Sequence, residues 1–265
     1  MARILSALVL IPLAILIVVF ASPVYYLVGI GLIGTACLYE YFGLMRSMEI
    51  RVQPVFGLLA FWVLLIAFHQ GKYPATILLA LVMLAGFLSA MWRQQTVRER
   101  ALAFMAELAG VFYLVLFLYP AIPLRYEFGN KVGLQWTLLM LLVIWAGDTF
   151  ALIIGKKLGK HPFAPILSPK KTNEGAIGGL LGGVLVAAIA QHFFLTELPL
   201  RHALIASILL GIFGQLGDLA ESMLKRAAAI KDSSHIIPGH GGVLDRMDSL
   251  LFSIPVLYFY LLQLY

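Results

Sequence analysis

The 265-residue chain is 62% hydrophobic and only 12% charged, and its formal net charge is +6 at pH 7. A soluble domain is roughly half apolar and a quarter charged, so this composition excludes an ordinary soluble protein and indicates an integral membrane protein. Cys37 is the only cysteine, which excludes a disulfide within the chain.

Nine apolar segments have about the length that a membrane-crossing helix needs, which is roughly 20 residues or somewhat fewer. We therefore predict an all-α, polytopic membrane protein with about nine transmembrane helices. Pro23, Pro54, Pro74 and Pro120 fall at the junctions, where a residue without a backbone donor is expected. The predicted spans cover residues 4–20, 24–44, 54–69, 74–91, 101–119, 134–154, 176–195, 202–222 and 249–264.

Basic residues are divided unevenly between the two sides of these spans. With the N-terminus placed inside, all of the 19 Lys and Arg residues except Lys72, Arg125, Lys131 and Arg201 fall on the inner side. Loops rich in Lys and Arg stay in the cytoplasm. The pattern therefore predicts an N-terminus inside and a C-terminus outside.

Aspartate is absent from the first 147 residues. In the predicted orientation, every later aspartate lies at a cytoplasmic helix end or in a cytoplasmic loop. We therefore predict an N-terminal transmembrane scaffold of about five helices, residues 1–133, and a C-terminal catalytic transmembrane region of about four, residues 134–265, with no separate soluble domain. The aspartates are Asp148, Asp218, Asp232, Asp245 and Asp248.

Asp148 lies within an otherwise apolar predicted span and is followed by Thr149. An ionisable side chain at such a depth costs several kcal/mol, so it is functional by default and needs a partner. The structural alternative is a buried cap or a hydrogen bond between helices.

A second cluster reads SPKKTNEG, from Ser168 to Gly175, and leads into a glycine-rich span. Backbone N–H groups and the positive end of a helix favour an anion at a helix start, so Lys170 and Lys171 are candidates for a phosphate cradle. The alternative is that both lysines only anchor the chain on the cytoplasmic side. Packing between helices is the favoured role of the glycines from Gly178 to Gly183.

The third cluster runs from Gly214 to Asp248. On a helix, Asp218, Ser222 and Lys225 share one face, and Asp245 and Asp248 share another at the start of the last span. Carboxylates near a helix end suit Mg²⁺, which keeps water ligands for a substrate phosphate.

Several residues of this cluster also have simpler interpretations. Asp232 is consistent with a solvated loop charge paired with Lys231, His240 with a structural histidine, and Arg246 with neutralisation of the neighbouring aspartates. So many charged side chains near one membrane interface nevertheless favour a metal and phosphate site.

From Ser222 to Asp248 the chain reads SMLKRAAAIKDSSHIIPGHGGVLDRMD. This run resembles the signature of the phosphatidate cytidylyltransferases, also called CDP-diacylglycerol synthases, in the order and spacing of its Ser-x-x-Lys-Arg, Lys-Asp, His-Gly-Gly and Asp-Arg-x-Asp elements. SPKKTNEG and the Gly-Asp-Thr that contains Asp148 are similar to family features as well. The resemblance is specific in the C-terminal half alone.

The resemblance implies attack of phosphatidate on the α-phosphorus of CTP, giving CDP-diacylglycerol and pyrophosphate for phospholipid synthesis. Mg²⁺ is the expected cofactor, with Asp148 orienting the site or adding a second cation position. The expected partners are CTP, phosphatidic acid and the bilayer, with no nucleic acid and with a homodimer left open. The compact chain, without a targeting extension, is expected in a bacterial plasma membrane with its site on the cytoplasmic face. The residues assigned are Asp218, Asp245 and Asp248 as metal ligands and catalytic residues; Lys225 and Arg226 as catalytic cations; and Asp148, Lys170, Lys171, Asn173, Glu174, Ser222, Lys231, Asp232, His240, Gly241, Gly242 and Arg246 as substrate-binding residues.

Two other functions compete with this one. CDP-alcohol phosphotransferases also use membrane-embedded aspartates, but their Asp-Gly-x-x-Ala-Arg motif is not matched, because Leu219 follows Asp218. An ion-coupled transporter would place polar groups near the midplane of the membrane. The predicted clustering at one interface favours the enzyme.

Overall fold

The computed structural model describes residues 2–193, 195–237, 239 and 241–265, and for residues 2–7 and 10 it describes the backbone alone. Most of this part of the chain is helical. The helices are α1 (Ala2–Phe20), α2 (Pro23–Ser47), α3 (Pro54–Gln70), α4 (Ala75–Met91), α5 (Val97–Leu118), α6 (Ala121–Tyr126), α7 (Asn130–Leu158), α8 (Asn173–Phe193), α9 (Leu200–Ala227) and α10 (Leu244–Leu264).

Within the described residues, six helical segments are long and apolar enough to cross a membrane: α2, α5 together with α6, α7, α8, α9 and α10. The other three predicted spans coincide with shorter apolar helices at Ile11–Phe20, Pro54–Gln70 and Ala75–Met91. A membrane protein that is mostly helical is thus confirmed, and the count of nine spans stays a prediction.

Local sequence explains where several helices begin. Proline occupies the first turn of α2 and α3, where its missing N–H has no intrahelical partner to lose. Helix α5 begins with a capping box in which Thr96 and Glu99 bond to each other's backbone N–H groups. Pro120, which the sequence places at a junction, separates α5 from the short helix α6.

A small hairpin departs from the all-α prediction. Strands β1 (Pro162–Ala164) and β2 (Ser168–Thr172) pair antiparallel between α7 and α8, with Pro162 opposite Thr172 and Ala164 opposite Ser168. The sequence SPKKT therefore lies on a strand, and α8 begins only at Asn173.

The N-terminal helices pack by seating aromatic rings against glycines. A Cβ added to Gly34 would overlap the ring of Phe61, and one added to Gly57 would overlap the ring of Phe42. Both rings are fully buried in the core that α2, α3 and α5 share. This core therefore depends on large side chains filling the space above small ones.

The C-terminal helices approach one another more closely, through their backbones. A Cβ on Gly179 would lie 2.8 Å from the carbonyl oxygen of Gly147, and one on Gly175 would lie 2.9 Å from that of Ala151, which brings α8 directly against α7. Small residues permit this approach between membrane helices. Helices α7, α8, α9 and α10 thus form a tightly packed group whose charged side chains are brought together.

Candidate active site

Three aspartates from three helices lie close enough to interact electrostatically, and we call them the aspartate cluster: Asp148 of α7, Asp218 of α9 and Asp248 of α10. Asp148 interacts electrostatically with both of the others, and Asp248 interacts with Asp218. Lys171 of β2 forms an ion pair with Asp218. Residues far apart in sequence thus form one mixed-charge site.

Close packing between α9 and α10 places two members of the aspartate cluster together. A Cβ on Gly217 would overlap the carbonyl oxygen of Asp248, so only glycine allows the two backbones to come this close. Asp218 is the next residue along α9. A small pocket beside the cluster is lined by residues of α7 to α10, including Asp148, Gly179 and Gln215.

Lys225 of α9 lies between two buried acids. Its Nζ donates to Oε2 of Glu221 at 2.9 Å and to Oδ1 of Asp245 at 2.6 Å. Glu221 also interacts electrostatically with Asp248, and so joins this pair to the aspartate cluster. Asp218, Ser222 and Lys225 all lie on helix α9, as the predicted shared face requires. Ser222 donates a long hydrogen bond of 3.5 Å to Asp218.

The segment before α10 wraps around Asp245. Oδ2 of Asp245 accepts hydrogen bonds from the backbone N–H of Ser233 at 2.9 Å and from the N–H of Gly242 at 2.8 Å, and the Ser233 hydroxyl oxygen lies 2.9 Å away. Gly241 has a φ of 81°, which favours glycine there. The predicted glycine turn thus holds the carboxylate of Asp245, and His240 lies outside the described residues.

The two lysines of the hairpin, Lys170 and Lys171, lie in different environments. Neighbouring residues on a strand point to opposite faces, and Lys170 is exposed while Lys171 reaches Asp218. Nε of Arg226 donates to the carbonyl oxygen of Leu167 at 3.1 Å, which fastens the hairpin to the end of α9. Arg226 thus holds the hairpin whose second strand carries Lys171.

Glu174, near the start of α8, bonds to the residues just before the hairpin. Oε2 accepts from the backbone N–H groups of Lys160 at 3.1 Å and His161 at 3.3 Å, and Oε1 lies 2.6 Å from Nδ1 of His161. These bonds join the start of α8 to the chain that leaves α7.

The remaining predicted residues lie at the surface of this region. Arg246 is exposed and interacts electrostatically with Asp148. Asn173, Lys231 and Asp232 are exposed as well. Their assignment to substrate stays a prediction.

A family model described as the cytidylyltransferase family matches residues 1–264, almost the whole chain. The chain belongs to the cytidylyltransferase family. It is therefore an enzyme, a nucleotidyltransferase, as the signature from Ser222 to Asp248 predicted.

Bacterial relatives agree with this assignment. The chain is 35% identical to a phosphatidate cytidylyltransferase of Staphylococcus haemolyticus over 234 residues, 88% of each chain. It is 32% identical to one of Bacillus subtilis over 260 residues, covering 96% of this chain and 94% of the relative. A shorter match, 44% identical over 131 residues, joins about half of this chain to a Staphylococcus aureus protein of the same name.

The metal assignment made for this cytidylyltransferase is only partly reflected in the geometry. Among the described residues, no three His, Cys, Asp or Glu side chains are grouped so that they could hold a metal by themselves. Asp218 and Asp248 belong to the aspartate cluster, whereas Asp245 is hydrogen-bonded to Lys225. The ligand set stays a prediction.

Two acids of the site were missed from the sequence, Glu221 and Glu40. Glu221 is four residues before Lys225, a spacing typical of ion pairs on one helix face. Glu40 lies within the apolar predicted span 24–44, the same signal that singled out Asp148.

Proposed function

We propose that this protein transfers the cytidylyl group of CTP to phosphatidic acid and releases pyrophosphate. One observation carries the proposal: carboxylates from α7, α9 and α10 gather beside Lys171 and Lys225 at one end of the C-terminal helices. Membership of the cytidylyltransferase family and the names of the bacterial relatives support the choice of substrates.

The reaction depends more on neutralising the negative charge of its two substrates than on proton transfer. The phosphate of phosphatidate has a second pKa of about 6, so its oxygen is already largely deprotonated at neutral pH. That oxygen attacks the α-phosphorus of CTP, a new bridging P–O bond forms, and the bond to the β-phosphate breaks so that pyrophosphate leaves. The main barrier is the repulsion between two polyanions.

The donor set suits a magnesium ion. Mg²⁺ binds through one or two carboxylates and keeps water for substrate phosphates, and mutual repulsion within the aspartate cluster favours a cation there. Asp218 and Asp248 would hold it, and Asp245 would join them through Oδ1, which accepts from Lys225 and has a second lone pair. When bound, the ion neutralises phosphate charge as it develops.

Basic side chains would receive the phosphates. Lys171 is paired with Asp218 and Lys225 with two acids, so both are positioned before substrate arrives. We propose that they bind the CTP phosphates and the lipid phosphate, and that Arg226 fixes the hairpin. Asp148 and Arg246 would orient the substrates.

The expected topology belongs to the same proposal. Nine spans with the N-terminus inside put the C-terminal end of α9 and the N-terminal end of α10 in the cytoplasm, where CTP is available. Phosphatidate would enter from the inner leaflet. A homodimer stays a prediction.

The reaction can be tested directly. Purified protein in vesicles that contain phosphatidate, supplied with radiolabelled CTP and Mg²⁺, should form labelled CDP-diacylglycerol, and chelation of Mg²⁺ should abolish the product. Full turnover after chelation would contradict the magnesium assignment. If no CDP-lipid forms under any condition, the transporter interpretation remains.

The orientation can be tested with single cysteines. Cys37 is buried, so a membrane-impermeant thiol reagent should ignore it. In intact cells, Lys72→Cys should be labelled and Arg98→Cys protected, since both positions are exposed on opposite sides of the predicted membrane. The reverse pattern would overturn the orientation.

A further inference from the structure

Glu40 of α2 is a buried carboxylate in the region predicted to be scaffold, and only 2% of its surface is exposed. Its Oε1 accepts from the Ser234 hydroxyl at 2.6 Å and the Val243 N–H at 2.9 Å. Its Oε2 accepts from the Ser233 hydroxyl at 2.9 Å and the Leu244 N–H at 2.7 Å. All four donors lie 193 to 204 residues further along the chain.

These bonds fix the beginning of α10. The N–H groups of Val243 and Leu244 are at the helix start, where orphan donors and the helix dipole favour a negative charge. A buried carboxylate is tolerated only when it is well hydrogen-bonded. Removing either side therefore leaves the other unsatisfied, so α2 and the segment before α10 are held together.

The same contacts reach the proposed catalytic groups through Ser233. Its hydroxyl donates to Oε2 of Glu40 at 2.9 Å, and its backbone N–H donates to Oδ2 of Asp245 at 2.9 Å. Asp245 in turn accepts from Lys225 at 2.6 Å. A continuous path of hydrogen bonds thus runs from Glu40 to Lys225.

Gly242 makes this arrangement sterically possible. A Cβ there would overlap both the Ser233 hydroxyl oxygen and the Glu40 carboxylate. The resemblance to the family predicts that Gly242 binds substrate. In the structure its N–H donates to Asp245 and its missing side chain leaves room for Glu40.

We propose that Glu40 is a positioning residue for cytidylyl transfer: through Ser233 and the start of α10 it sets the place of Asp245 and Lys225. This inference rests on the proposed function. It gives the N-terminal region a part in the active site, because Glu40 acts on Asp245 and Lys225 through Ser233 and the start of α10.

The test is Glu40→Gln in the full-length protein. The amide keeps the size of the side chain but replaces one carboxylate oxygen with an NH₂ group. An NH₂ group cannot accept a hydrogen bond, so the donors that face it lose their acceptor. We expect kcat to fall roughly 10- to 100-fold, as for groups that orient catalytic residues, with a much smaller change in the KM for CTP. Hydrogen exchange should rise within residues 231–248 and stay unchanged in α5.

Glu107→Gln is the matched control. Glu107 is also a buried acid of the N-terminal region, and it accepts from Arg93 at 2.7 Å and from the backbone of Gln53. Its replacement should lower thermal stability while the folded enzyme keeps its kcat. A loss of kcat equal to that of Glu40→Gln would show a general packing effect and overturn the proposal.

Ser233→Ala supplies a second variant if Glu40→Gln folds poorly. Because Glu40 and Ser233 act along one path, the double variant should be little slower than the slower single variant. Independent, multiplicative effects on kcat would contradict the path. Normal kcat in Glu40→Gln would refute the positioning role outright.

The exchange measurement separates this inference from the proposed reaction. If the wild-type protein formed no CDP-lipid, the proposed function would fail, yet exchange at residues 231–248 would still report whether Glu40 holds the segment. Unchanged exchange there in Glu40→Gln would overturn the inference even with an active wild-type enzyme.

Discussion

Close contacts at glycine differ between the two regions of this membrane protein at several positions, although Gly182 of α8 also lies against a ring, that of Phe150. In α1 to α6, glycines such as Gly34 receive aromatic rings from neighbouring helices, and the result is a filled core. In α7 to α10, glycines such as Gly179 and Gly217 lie against the backbone of another helix. Backbone contact shortens the distance between helices, so side chains at their ends converge into a site.

The buried charges differ in the same way. Arg93 and Glu107 of the N-terminal region meet through two hydrogen bonds of 2.8 and 2.7 Å, an ion pair with balanced charge. In the C-terminal region, Lys225 is shared by Glu221 and Asp245 while the aspartate cluster adds further negative charge. A balanced pair stabilises a fold, whereas an excess of acid beside lysines suits a cation and phosphates.

The strongest test of this contrast is Asp218→Asn. Loss of one carboxylate of the cluster should reduce kcat at least about 100-fold, the scale found when one group that stabilises transition-state charge is removed. Labelled CDP-diacylglycerol formation measures it. Glu197→Gln is the control, because Glu197 is also paired with a lysine, Lys131, but at an exposed position. Full turnover of a folded Asp218→Asn sample would refute the metal role.

Alanine at the two kinds of glycine should separate stability from activity. Gly34→Ala and Gly217→Ala should each cost about 1–3 kcal/mol of stability through overpacking, but only Gly217→Ala should also lower kcat, because it pushes Asp248 away from Asp218. Thermal unfolding and turnover measure the two effects. Gly43→Ala, which meets no atom within 4 Å, is the neutral control. Equal kcat in all three variants would remove the link between close packing and catalysis.

Lys171→Met sharpens the difference between the hairpin lysines. It removes the cation paired with Asp218, so the KM for CTP should rise about tenfold, equivalent to about 1.4 kcal/mol of lost binding. Lys170→Met should change KM little, because Lys170 is exposed on the other face of the strand. Equal effects at both positions would instead support a loosely held cradle of two lysines.

The smallest effect on turnover is expected for Arg93→Gln. Breaking a buried ion pair leaves Glu107 uncompensated and should lower the free energy of unfolding by about 3–5 kcal/mol. The remaining folded enzyme should keep its kcat, since the pair lies outside the aspartate cluster. A fall in kcat without loss of stability would show that the Arg93–Glu107 pair also influences the active site.

Much of the site could be predicted from the sequence because its signals are local. Asp218, Ser222 and Lys225 follow helical spacing, and a carboxylate at Asp148 is conspicuous in an apolar span. The hairpin was not predicted, because SPKKT shows no alternation of apolar and polar residues over the length that identifies a strand. The separation of Lys170 from Lys171 was missed for the same reason.

The sequence by itself determined that this is a helical membrane protein whose aspartates all lie in its C-terminal half, since apolar length and residue type are properties of single segments. Only the tertiary structure decided that Glu40 meets the segment before α10, that Asp245 is held by Lys225 and Ser233, and that Gly217 brings Asp218 to Asp248. Such contacts join residues up to 204 positions apart. They depend on which helix faces pack together, and spacing within one helix carries no record of that choice.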